Sequence, residues 1–227
     1  GRRAHDRRMS AHHVGGSGEP LLLLHGMTSS WRAWKPLLPM LEEHHEVWAV
    51  TMPGHLDGPS MPEGEFSMDL MVDALVEELD ALGVPERPHV VGNSLGGWAA
   101  LELARRGRAR SVVGLSPAGA WSVPSDLYRL LVVFRLGALL AGWAPMRTLA
   151  SCGAIRRLLL LTVAEHADRY TADEVAELFD DLAGCTILEP LLSAARMDTA
   201  ITPFEQLPCP VRVAWAGSYR TIPYGRY

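Results

Sequence analysis

The chain has 227 residues, 48% of them hydrophobic and 21% charged, with a formal net charge of -5. That length holds one domain with a sizeable core, or one domain carrying an insertion, and the composition excludes a disordered or fibrous protein. The acidic balance shows no basic face that would call for nucleic acid, and the four arginines within the first eight residues are a short solvated tip.

Cys152, Cys185 and Cys209 are odd in number, widely spaced and without a metal-ligand pattern. They fit buried thiols in a reducing, cytoplasmic compartment better than a disulfide framework, and no metal or cofactor is expected. No secretory signal is visible, because the apolar run Leu21–Leu24 is too short for one. Leu127 to Trp143 is the most apolar long segment, but Arg129 and Arg135 interrupt it, so no membrane span is expected.

Residues 1–19 are polar, glycine-rich and weakly patterned, and read as a flexible segment in which Met9 is a candidate natural start. Leu21–Leu24 is a continuous apolar run, as in a strand buried on both faces. After the polar loop His25 to Ser30, the spacing of Trp31, Trp34, Leu37, Leu38 and Leu41 predicts a helix. Val47–Val50 predicts the next strand, closed by Pro53-Gly54-His55, and residues 52–66 read as a long loop. Met71, Leu75, Leu79 and Leu82 mark a second amphipathic helix, stopped by Gly83 and Pro85. His89 to Val91 predicts a strand, Trp98 to Arg106 a helix, and Ser111–Leu115 another strand.

The organising stretch is Gly92-Asn93-Ser94-Leu95-Gly96-Gly97, in which Gly-x-Ser-x-Gly falls on a strand-to-helix turn. Side chains two positions either side of Ser94 would collide in so sharp a turn, and Gly92 and Gly96 have none. The following helix would offer Ser94 the positive end of its dipole and a free N–H at Leu95. Strand–helix alternation implies a parallel sheet covered on both faces, with ligands outside the carboxyl ends of the strands. From about Ala118 to Thr202 the pattern turns helical, with a capping box at Thr171 to Glu174, before Val211–Trp215 resumes the strand rhythm.

In order and spacing, these features resemble the α/β-hydrolase fold family, in its branch with a helical cap between the sixth and seventh core strands. The residues that carry the resemblance are His25-Gly26, Pro53-Gly54-His55, Gly92 to Gly97, Ser116-Pro117 and Cys209-Pro210 to Trp215. It implies a mostly parallel α/β sheet: core 20–117, cap 118–202, core continued at 203–227. It further implies Ser94 as nucleophile of an acyl-enzyme mechanism, with backbone N–H groups of Met27 and Leu95 holding the oxyanion. His25 and His55 would shape their loops rather than act as bases, and His44, His45 and His89 read as surface residues.

The chain departs from the family pattern at the two partners of the serine. The family order is Ser, acid, His, yet after Ser94 the sequence holds only His166. The register of Trp215 and Pro223 puts Tyr219 in the usual acid position, and a phenol with an ordinary pKa near 10 cannot replace a carboxylate. Three readings follow: a hydrolase C-terminally truncated before its base, a pseudo-hydrolase that binds rather than cleaves, or His166 as base with Asp168, Asp198 or Glu205. The sequence favours the first.

The leucine-rich insertion predicts an apolar pocket over Ser94 and, as ligand, a small to medium ester or related acyl compound. Thr28, Ser29, Trp31 and Trp121 are candidates for its entrance. Serine-dependent carbon–carbon hydrolases and perhydrolases fit equally, whereas a dehalogenase would need a carboxylate nucleophile. No Gly-x-Gly-x-x-Gly opens the first helix, which disfavours a dinucleotide enzyme.

Overall fold

The computed structural model describes residues 11–119, 124–141, 149, 152–160, 164–194 and 201–217. Six strands form one sheet in the order β1-β3-β2-β4-β5-β6. They are β1 His12–Gly16, β2 Glu19–Leu24, β3 His45–Val50, β4 His89–Asn93, β5 Ser111–Leu115 and β6 Val211–Ala214. All neighbours are parallel except β1, which pairs antiparallel with β3.

The central strands are buried on both faces, and alternate residues divide between two apolar layers. Leu22 and Leu24 join Val90 and Val112 against α2 (Met68–Leu82) and α3 (Leu95–Arg105). Leu21 and Leu23 face the other way, with Val47 and Ala49, onto Trp34 and Leu38. Helix α2 opens on Ser67, whose side chain accepts from Leu70 N–H, and ends at Gly83 with φ 78°. In α3 the small residues Ala99, Ala100 and Ala104 are all buried, which lets the helix lie close to the sheet.

Register places the carboxyl ends of the parallel strands on one edge: Leu24 opposite both Val50 and Gly92, Asn93 opposite Leu115, and Leu115 opposite Ala214. Between β5 and β6 the described elements are helical: α4 Pro124–Ala141, α5 Gly153–Leu159, α6 Ala172–Ala183 and α7 Leu188–Ala194. Thr171 and Glu174 form the expected capping box of α6.

Two expectations change. A strand occupies His12–Gly16, inside the segment read as flexible; it is an edge strand held by backbone pairing, so its sequence needs no apolar alternation. Residues 31–41 form a 3-10 turn, Trp31–Trp34, and a one-turn helix α1, Leu38–Leu41, instead of one helix. Pro36 and Pro39 remove two backbone donors from that stretch. Five strands precede the helical block among the described residues. Residues 1–10, upstream of β1, lie outside them.

Candidate active site

Ser94 closes β4 and opens α3 with φ 51° and ψ -114°, a conformation outside the regions L-residues favour. The backbone holds it there from both sides. Ser94 N–H donates to the Leu115 carbonyl at 2.9 Å, and its own carbonyl accepts from Trp98 N–H at 3.1 Å and Ala118 N–H at 2.9 Å. The two elbow glycines are steric requirements. A Cβ on Gly92 would sit 2.1 Å from the Gly96 carbonyl oxygen, and one on Gly96 would sit 2.3 Å from that of Leu24.

The loop after β2 lies directly against this turn. A Cβ on Gly26 would be 3.0 Å from Asn93 Oδ1 and 3.5 Å from the Ser94 Cβ. Met27 follows, buried, and then Thr28 with φ 62°. Leu95 is the first residue of α3, so its N–H has no intrahelical acceptor. Among the described residues neither the Met27 nor the Leu95 amide has an acceptor. The site thus joins a half-buried hydroxyl, at a helix N-terminus, with two unpartnered backbone donors.

His25 is fully buried beside the site, and both ring nitrogens are taken by backbone. Nδ1 donates to the Gly26 carbonyl at 2.7 Å, and Nε2 accepts from Met52 N–H at 2.9 Å. Burial, with His55 adding to it, holds the ring neutral well below the usual histidine range. His55 meets His25 edge to face at 4.7 Å and donates from Nδ1 to the Pro53 carbonyl. Burial lowers its pKa to about 4. The two imidazoles therefore tie the loop after β2 to the loop after β3, and His25 has no free nitrogen to act as a base.

The helical block grips the same two loops. Asp181 of α6 accepts from Ser30 Oγ at 2.8 Å and pairs with Arg32, and both its side chain and that of Arg32 are buried. Burial pushes the Asp181 carboxyl up, while Arg32 and Ser30 pull it back. Lys35 pairs with Glu177 at 2.8 Å on the more exposed side of the seam. Burial raises the Cys185 thiol, while the nearby backbone N–H groups of Ile187, Thr28 and Leu188 pull it back. Thr186 donates its N–H to the Gly54 carbonyl at 2.8 Å. The sequence reading missed this set. Its one local signal was Arg32, a charge inside the apolar stretch Trp31 to Trp34.

Several anticipated residues lie elsewhere. Trp31 stacks on His13 at 5.5 Å and packs with the second core layer, so it is no entrance residue. Thr28 is buried and Ser29 half-buried in the loop beside Ser94. Trp121, Asp198 and Tyr219 lie outside the described residues. His166 and Glu205 are exposed, and Ser94 Oγ has no hydrogen-bond partner among the described residues. The clefts lined by described residues include one of about 300 Å³ at the seam of Arg32, Lys35 and Glu177 and one of about 480 Å³ beside Arg105 and Phe204, and Ser94 lines neither of these. All three cysteines are free, Cys152 exposed and the others half-buried. Among the described residues no group of His, Cys, Asp and Glu could hold a metal, and no helix is long and apolar enough to cross a membrane.

Fold and site together define a hydrolase of the α/β class, with a serine where strand turns into helix at the carboxyl edge of a mostly parallel sheet. The model of the alpha/beta hydrolase family matches residues 21–226, and the chain belongs to that family. It is 34% identical over 169 residues to epoxide hydrolase EphH of Mycobacterium tuberculosis, covering 71% of this chain and 76% of the relative. The meta-cleavage product hydrolase CumD of Pseudomonas fluorescens IP01 superposes with a TM-score of 0.66 at 24% identity, over 95% of this chain and 78% of that one. An esterase of Thermogutta terrifontis gives 0.66 at 21% identity with the same coverage. These two structural likenesses carry the fold alone.

Proposed function

We propose that the chain is a serine hydrolase acting on a small to medium apolar ester or related acyl compound, with Ser94 as nucleophile. The observation that carries this reading is the Ser94 backbone, φ 51° and ψ -114°, kept in a costly conformation beside two unpartnered amides. In the proposed step Ser94 Oγ bonds to the acyl carbon and gives up its proton to a base. The carbonyl oxygen becomes an oxyanion facing the N–H groups of Leu95 and Met27, and collapse expels the alcohol with a proton to leave an acyl-enzyme. Water then attacks the same carbon and restores Ser94. Each amide is worth on the order of a hundred- to a thousand-fold in rate. The helical block of residues 118–202 is the proposed roof of the acyl pocket.

The activity named for the M. tuberculosis relative does not carry over by this route. Opening an epoxide with a serine oxygen forms an ether, which has no acyl carbon for water to attack; a carboxylate nucleophile would form a cleavable ester. Carbon–carbon hydrolysis and perhydrolysis remain within reach of Ser94, since both pass through its acyl chemistry.

A binding-only reading draws on one observation: Ser94 Oγ has no base among the described residues. A fluorophosphonate probe and a short nitrophenyl ester separate the two. Labelling mapped to Ser94 with ester turnover, both abolished by Ser94→Ala, is the expected outcome, tested in the 227-residue chain and in the full product of its reading frame. Saturable binding of an apolar ester without labelling in either form would sink the hydrolase reading.

A further inference from the structure

We propose that Ser111 is a second reactive serine, at the opposite end of the sheet from Ser94, which accepts an acyl group from a small aryl ester. Three neighbouring strands begin there. His89 opens β4 and lies opposite Ser111, the first residue of β5, while Leu21 of β2 lies opposite His89 on its other side. Side chains at alternate positions of a strand share a face, so Glu19 stands on the same side of the sheet as Leu21. Glu19, His89 and Ser111 therefore form one row along the amino edge.

Hydrogen bonds join the row. His89 Nδ1 lies 2.7 Å from Ser111 Oγ, and His89 Nε2 lies 2.8 Å from Glu19 Oε2. Arg110 holds the other Glu19 oxygen at 3.0 Å. The His89 bond and the Arg110 charge keep the Glu19 carboxyl below its ordinary range, so it is ionised at neutral pH. An ionised carboxylate only accepts, which puts a proton on Nε2; in the neutral ring Nδ1 is then the acceptor of the Ser111 hydroxyl. The serine thus has a base, and the base has a carboxylate that orients it, the arrangement that makes a hydroxyl nucleophilic. Among the described residues Ser94 has neither.

In the step, Ser111 Oγ bonds to the acyl carbon of the aryl ester and its proton passes to His89 Nδ1. Glu19 holds the imidazolium, and expulsion of the phenol with that proton leaves an acyl ester on Ser111 and a neutral His89. The ester then persists. The flanking amides are used in the backbone, Arg110 N–H on the Pro88 carbonyl at 2.8 Å and Val112 N–H on the Pro210 carbonyl at 2.9 Å, so they form no oxyanion pair like Met27 and Leu95. A serine ester also has a poorer leaving group than an aryl ester. Solvent reaches the row: the His89 side chain is 27% exposed and that of Glu19 55%, with Ser111 half-buried. The five residues of β4 separate it from Ser94 by roughly 16 Å, so the two serines do not share a substrate. The inference stands without catalysis at Ser94.

The test uses the 227-residue Ser94→Ala chain with nitrophenyl acetate, and locates acetyl groups by peptide mass mapping. One equivalent of nitrophenol without further turnover is expected, with the acetyl group on Ser111 and none on the exposed Ser60. Among side-chain amines only Lys35 competes, because the chain has no other lysine. Ser111→Ala should abolish the mapped group, and His89→Gln should slow its formation about a hundredfold. Glu19→Gln, at a more exposed position, should slow it less, with the melting midpoints of both variants recorded alongside. No acetyl group on Ser111, or one that forms at the same rate in His89→Gln and Glu19→Gln, overturns the proposal. So does an acetyl group that settles on His89 and leaves Ser111 unmodified.

Discussion

The elbow and the seam between sheet and helical block hold the same active-site loops by different physics. The elbow is fixed by steric exclusion: neither Gly92 nor Gly96 has room for one more carbon, and the atoms in the way are backbone. The seam is fixed by polar groups taken out of water: Asp181 with Arg32 and Ser30, and Thr186 with Gly54. Among the described residues the helical block has a small cluster of its own, Leu160, Ala167, Val175 and Phe179. Steric exclusion is indifferent to pH and salt, whereas a polar seam can be loosened without unfolding the sheet.

The largest effect should come from breaking the seam at its most buried point. Asp181→Ala removes the closer carboxylate from the Arg32 guanidinium, whose side chain is 6% exposed, leaving Asp57 at 3.8 Å, and is expected to lower stability by about 3–5 kcal/mol in urea denaturation. Lys35→Ala, at a pair about 40% exposed, should change it by under about 1 kcal/mol. Replacing both buried partners, Arg32→Met with Asp181→Leu, should recover most of the loss, since the desolvation of two charges disappears with them. If Asp181→Ala costs no more than Lys35→Ala, the two regions do not differ as described.

A somewhat smaller effect lies on the inner side of the seam, at the two buried histidines. His55 is neutral in the folded protein, its pKa lowered from 6.5 to about 4 by burial. A lowered folded value means that the unfolded chain takes up the proton first. The contribution of His55 is therefore complete above 6.5 and disappears as the pH falls toward about 4, in all about 3 kcal/mol. His25 shifts in the same direction and steepens the loss. Urea midpoints measured across that window should fall with acidity, and His55→Asn should make the fall shallower by about one proton. An unchanged slope in the variant would mean that His55 is not a buried neutral group. Glu19 and Asp80, whose carboxyls sit below their ordinary values, act at more acid pH.

The same contrast explains what was legible in the sequence. Elbow and central strands are local: Gly92 and Gly96 flank Ser94 at fixed spacing, and Leu21–Leu24 is apolar at every position because both faces of β2 are covered. β1 was not legible, because its stabilisation is backbone pairing with β3 and its side chains carry no pattern. The stretch from Trp31 to Leu41 kept a helical period while two prolines broke the helix. The seam was the least legible. Ser30 and Asp181 are 151 positions apart, and nothing local to Asp180-Asp181 tells which carboxylate is buried. The strands' common carboxyl edge was read correctly from alternation alone, and that edge carries Ser94.

The smallest expected effect tests whether the rigid side stores strain. A non-glycine residue at φ 51° and ψ -114° carries a penalty of order 1–3 kcal/mol. Glycine accepts that backbone without it, but adds about 0.5–1 kcal/mol of freedom to the unfolded chain. Ser94→Gly should therefore stabilise the protein by about 1 kcal/mol while removing the hydroxyl that a fluorophosphonate would label. Ser94→Ala removes the hydroxyl and keeps the Cβ, so it should leave stability nearly unchanged, and the difference between the two variants isolates the backbone. A midpoint for Ser94→Gly at or below that of Ser94→Ala would show that the turn is relaxed. The elbow would then be held in place by exclusion without being loaded, and the hydroxyl would reach its position at no conformational cost.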